Sequence, residues 1–164
     1  MIQANAFADR AYTYRDSMIP YSKLDCQAFV ERVLADCGLV CNWRGSNHMW
    51  REALSWKGTV KEAEAKFGAI PRGAWLFTVK RDGGEKERGY SDEEGNAAHV
   101  GIYTGLGLGA MHSTTGGVQE TRFPASRWTH VGLCKFILYP ENAGDVKSRI
   151  LGLLDDLRKE IEKL

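Results

Sequence analysis

The apolar positions change period near residue 70, and that change limits the fold more than any other feature of the chain. Before it, apolar residues recur at helical spacing. Phe7, Ala11 and Tyr14 share one side of a helix expected over 3–16, which Pro20 ends. A second helix is expected from Asp25, a good N-cap, with Phe29, Val30, Val33 and Leu34 on its apolar face and Gly38 as its stop. A third is expected over 46–56, with Ser46 and Asn47 at its start. In "TVKEAEAKF", Thr59 and Glu62 have capping-box spacing and Gly68 closes the turn. After residue 70 the pattern is that of short strands rich in β-branched and aromatic residues: 74–79, 99–105, 109–114 and 131–139. A run of helices followed by a run of antiparallel strands predicts an α+β fold, with N-terminal helices packed on a small antiparallel sheet.

Two segments stand outside that scheme. Residues 80–97, "KRDGGEKERGYSDEEGNA", are charged and Gly-rich and read as a long exposed loop. Residues 143–164 form an amphipathic helix with Val146, Ile150, Leu153, Leu157, Ile161 and Leu164 along one stripe. The reading is therefore one domain over 1–142 and a C-terminal helix over 143–164. That helix either packs on its own domain or serves self-association or a larger assembly.

At 164 residues the chain is long enough for one domain with a real core. Its formal net charge of +1 gives no reason to expect nucleic acid or an anionic membrane as partner. No apolar run approaches the roughly 20 residues of a membrane span, and the N-terminus lacks the apolar stretch of a signal peptide. Synthesis as a soluble cytoplasmic chain is the expectation. The place of action stays open: release by lysis, in a phage particle or by another route is compatible with such a chain.

The cysteines are Cys26, Cys37, Cys41 and Cys134. Cys37 and Cys41 lack the second ligand pair that a zinc site needs, so free thiols are expected, with no metal and no cofactor. Cys26 differs from the rest because it follows the N-cap Asp25. Unpaired N–H groups and the helix dipole favour a thiolate there, and this predicts a lowered pKa. Such a nucleophile needs a base and a group to orient it. His99 and His112 fall on neighbouring strands joined by a Gly-rich turn, so their side chains can meet. Residues alone leave three readings open: a Cys–His–His triad, a buried core cysteine, or a partial metal site in which Asp25 joins the two histidines. His48 and His130 are expected to be surface or packing residues.

Four short patches carry a family resemblance. "DCQAFV" (25–30) resembles the Asp-Cys-Ser-Gly-Phe/Leu-Val signature of the NlpC/P60 cysteine peptidases. "HVGIYTG" (99–105) resembles their His strand, "GAMHSTTGGV" (109–118) the following strand with its polar third member, and "PRGAWLF" (71–77) the strand before the His. The resemblance spans residues 18–139 and implies a papain-like fold. It implies Cys26 as nucleophile, His99 as general base and then acid, and His112 as the residue that orients His99. It further implies Tyr21 near the oxyanion, with Asp25 and Gln27 flanking the substrate. The implied reaction is hydrolysis of bacterial cell-wall stem peptides, often at D-γ-glutamyl–diamino acid bonds; with no signal peptide in the sequence, a phage or prophage enzyme is the expectation. Gln27 and Ala28 depart from the family's Ser-Gly, Ala74 replaces its Asp, and the stretch from Tyr21 to Cys26 lacks its Gly-Gly. Two alternatives share the same residues: a CHAP-type N-acetylmuramoyl-L-alanine amidase, and a non-catalytic binding or structural module.

Overall fold

The computed structural model describes the backbone of residues 1–140 and 143–163, and the side chains of 1–140 and 150–163. Strand β1 (Ile2–Gln3) leads into α1 (Ala4–Tyr12), which stops short of the expected 16. Helix α2 (Cys26–Asp36) begins where the sequence places it. The Asp25 carboxylate accepts from the Ala28 amide at 2.8 Å, and Gly38, at φ +93°, takes the left-handed turn beyond the helix.

The helix expected over 46–56 is two elements. Helix α3 (Ser46–Glu52) ends early, and Leu54–Thr59 is strand β2. Trp50 and Leu54 have helical spacing, whereas Leu54 and Trp56 have a strand's alternation, and pairing with a later strand settles it. Helix α4 (Val60–Phe67) has the expected capping box between Thr59 and Glu62. Then come β3 (Trp75–Lys80), a four-residue helix α5 (Gly84–Glu87), β4 (Asn96–Tyr103), β5 (Gly109–Thr114) and β6 (Gly117–Arg122). The stretch 131–139 divides into β7 (His130–Cys134) and β8 (Ile137–Leu138). Helix α6 (Ala143–Ile161) follows.

Six strands form one antiparallel sheet in the order β2-β7-β3-β4-β5-β6. Strands β1 and β8 make a separate parallel pair that ties the N-terminus to residues 137–138. The fold is α+β.

Period-2 alternation along β3 divides the core. Trp75 and Phe77 face α1, α2 and α3, where Phe7, Phe29, Val33, Leu34 and Met49 are fully buried. Ala74 and Leu76 face the other side, with Ala63 of α4, Trp128, Val131 and Leu133. Packing on both faces holds the middle strands rigidly, as a site built on them requires.

The segment over 80–97 is pinned rather than free. Arg51 of α3, with its side chain only 6% exposed, bonds Asp92 at 2.5 and 2.8 Å and the Gly95 carbonyl at 3.0 Å, and stacks on Tyr90. Lys57 pairs with Glu94 at 2.6 Å. Glu85 of α5 is buried.

On α6, Ile150, Leu153, Leu157 and Ile161 are each more than half exposed. The stripe positions Val146 and Leu164 and the boundary at 142 lie outside the residues described in full. No helix among the described residues is long and apolar enough to cross a membrane.

Candidate functional site

Strands β4 and β5 carry the imidazoles. Their pairing is confined to Ile102–Met111 and Tyr103–Ala110. Continuing that register sets His112 opposite Gly101 and His99 diagonal to it on the same face. His99 Nε2 lies 2.7 Å from His112 Nδ1, with the rings edge to face. The two histidines meet as expected, but through a diagonal that needs a glycine. A Cβ on Gly101 would come within 2.7 Å of Trp128 and 3.0 Å of His112 Cβ. Trp128 uses that space: it stacks on His99 at 5.5 Å and meets the edge of His112 at 5.1 Å.

His112 is fully buried. Its Nε2 faces Thr121 Oγ1 of β6 at 2.9 Å and Arg127 Nη1 at 3.5 Å. Burial first, then the Arg127 cation, lowers the His99 pKa to about 4. Burial, then His99, then Arg127 take His112 to about 3. Both rings are neutral at pH 7.

Cys26 opens α2 and is 8% exposed. Its sulfur lies against the backbone amide of Val100, the residue after His99, and against the amides of Gln27 and its own residue, all of which favour the anion. Burial outweighs them, and the Asp25 carboxylate adds to it, so the thiol pKa is raised. This corrects the lowered value expected from the helix start alone. The amides are where the sequence puts them, but the thiol is also desolvated.

Two cavities meet at Tyr21. One, of about 450 Å³, lies beside Cys26 and is lined by Asp25, Gln27, Arg44, Asn47 and Arg88. The other, of about 540 Å³, lies beside His99 and is lined by Lys80, Thr114 and Arg127. Tyr21 borders both; burial, then Cys26, raises its pKa. The Gln27 amide nitrogen is committed to Glu31 at 2.8 Å and to the Trp43 carbonyl, so it holds the loop after α2 rather than offering a donor to a ligand. Gly84, Glu87 and Arg88 wall the cysteine cavity, so the 80–97 segment borders the site.

Asp25 is an N-cap, and among the described residues no three His, Cys, Asp or Glu side chains are arranged to hold a metal. All four cysteines are free thiols. His48 accepts from the Arg44 amide, and His130 packs on the edge of Trp50. Trp128, Thr121 and Arg127 escaped the sequence reading. Thr121 was within reach, because "TTGG" between "GAMHS" and "VQETR" is a hairpin signal that makes 117–122 a strand beside His112. Trp128 precedes its strand and has no periodic signal.

No family model, curated protein or solved structure matches the chain.

Proposed function

We propose that this chain is a cysteine hydrolase with a papain-like fold of the NlpC/P60 type, cutting peptide bonds in bacterial cell-wall stem peptides. The observation that supports the reading is the 2.7 Å contact between His99 Nε2 and His112 Nδ1, on strands packed against the helix that starts at Cys26. With Nε2 engaged, His99 has only Nδ1 left to take the thiol proton. The sulfur then attacks a carbonyl carbon held in the cavity beside Cys26. The Cys26 amide and the Tyr21 hydroxyl are the donors for the developing oxyanion. The His99 imidazolium returns its proton to the leaving amine, and a water, deprotonated by His99, hydrolyses the thioester.

The bond we propose is D-γ-glutamyl to a diamino acid. The test is digestion of purified peptidoglycan by the whole chain, with products read by mass spectrometry. New amino termini on the diamino acid, absent with Cys26→Ala, support the reading. Freed stem peptides with intact lactyl-linked sugar chains would make the enzyme an amidase. No product from any wall type would leave a non-catalytic module on this fold.

A further inference from the structure

The two groups at His112 Nε2 are not equivalent. An arginine can only donate a hydrogen bond, whereas a threonine hydroxyl can donate or accept. An accepting threonine and a donating arginine therefore impose opposite proton arrangements on the imidazole pair. If Arg127 sets the state, His112 Nε2 is the acceptor and its proton sits on Nδ1. That proton points at His99 Nε2, which must accept it, so His99 carries its own proton on Nδ1. Nδ1 is the one ring nitrogen left for a thiol, and it would be blocked. If Thr121 accepts, every step reverses. His112 Nε2–H donates to Thr121 Oγ1, His112 Nδ1 accepts from His99 Nε2–H, and His99 Nδ1 keeps its lone pair.

Geometry separates the two. Thr121 Oγ1 stands at 2.9 Å, an ordinary hydrogen-bond length, and Arg127 Nη1 at 3.5 Å, the outer limit. Thr121 is half-buried, so its hydroxyl hydrogen can turn to water while its oxygen accepts. His112 is fully buried, and no water replaces a lost partner at its ring without opening the site. Strand β6 fixes the threonine, since Thr121 pairs with Ala110, two residues before His112 on β5.

We propose that Thr121 is a positioning residue: by accepting from His112 Nε2 it holds both imidazoles in the tautomers that leave His99 Nδ1 free to take a proton. The catalytic use of that lone pair rests on the hydrolase reading above, but the tautomers themselves do not.

The test is ¹⁵N–¹H long-range correlation of the histidine rings at pH 7, in the whole chain and in Thr121→Val, Thr121→Ser and Arg127→Gln, with peptidoglycan turnover measured beside it. The expected wild-type result is His112 protonated at Nε2 and His99 protonated at Nε2. Thr121→Val should move the His112 proton to Nδ1 and lower kcat by about a hundredfold with KM little changed. Thr121→Ser should restore both, and Arg127→Gln should leave the tautomers as they were. Wild-type His112 protonated at Nδ1, or an Arg127→Gln chain whose tautomers reverse, would overturn the proposal even if Thr121→Val fails to fold. The expected tautomers in a chain that digests no wall would uphold the role of Thr121 and overturn the hydrolase reading instead.

Discussion

Gly101→Ala is the sharpest probe of how the imidazole pair is held. An added Cβ would lie 2.7 Å from Trp128 Cη2 and 3.0 Å from both His112 Cβ and the Met111 carbonyl oxygen. Carbon atoms rest at about 3.5 Å or beyond, so Trp128 must retreat by about 0.8 Å, and His112 by about 0.5 Å. Neither has an easy path. Trp128 is 4% exposed and His112 is fully buried. Overpacking of this kind costs about 1–3 kcal/mol. For a chain of this length that is a fall in Tm of about 2–12 °C. A shift near 1 Å in a positioning group also lowers turnover by about a hundredfold. The assay is a thermal melt with near-ultraviolet circular dichroism, which reads the tryptophan environment directly, followed by hydrolysis. Adding Trp128→Leu should recover part of the lost stability, because the two sites touch and their effects are not additive. A Gly101→Ala chain with wild-type Tm and an unchanged tryptophan spectrum would refute the wedge.

Three further outcomes are expected. The folded pKa values of His99 and His112, about 4 and 3, lie below the ~6.5 of an unfolded histidine, so the unfolded chain binds more protons across that window. Their stability is then intact above pH ~6.5 and lost as pH falls toward 4, and urea midpoints at pH 7.5 and 5 check it; equal midpoints would contradict it. Arg51→Met should free the segment that Arg51 holds through Asp92, Gly95 and Tyr90, giving new proteolytic cuts within 82–95 while the sheet stays resistant. Ending the chain after Pro140 should change Tm by less than about 2 °C but lower the number of copies per particle by light scattering, because Ile150, Leu153, Leu157 and Ile161 of α6 are exposed; a large drop in Tm would place those residues in the core.

What the sequence disclosed follows from how local its signals are. Asp25 as a cap and the Thr59–Glu62 box are contacts within one turn, and both are present. The strands of 74–79, 99–105 and 109–114 were legible because they are apolar and central. Strands β2 and β6 were not, because they are the sheet's two edges and carry polar residues on their open sides. The site divides the same way. Cys26, His99 and His112 stood out by residue type and element position. Trp128, Thr121 and Arg127 act through contacts across the sheet, which no local pattern encodes. Gln27 has a contact that adjacency to Cys26 does not disclose: it lines the cavity beside the cysteine, yet its amide nitrogen serves Glu31 and the Trp43 carbonyl.

The ionisation of Cys26 shows local and global terms in direct opposition. A helix start and three backbone amides favour the thiolate, whereas burial and Asp25 oppose it, and burial is the largest effect. On the other side of the pair, burial and Arg127 disfavour an imidazolium at His99. Both shifts act in one direction, toward a neutral thiol and a neutral imidazole. Under the proposed hydrolase reading, an ion pair is then not stored in the resting site and would form only as a substrate carbonyl reaches the sulfur. This predicts the alkylation profile of Cys26. With a neutral pair, the rate of reaction with iodoacetamide climbs with pH and is still climbing above the usual cysteine pKa of about 8.5. With a stored ion pair, the rate is already flat well below pH 7, and His99→Ala abolishes that plateau. Peptide mass spectrometry resolves Cys26 from Cys37, Cys41 and Cys134 in one experiment. A low-pH plateau lost in His99→Ala would show that a thiolate–imidazolium pair is stored at rest, and that desolvation of this sulfur is weaker than its burial implies.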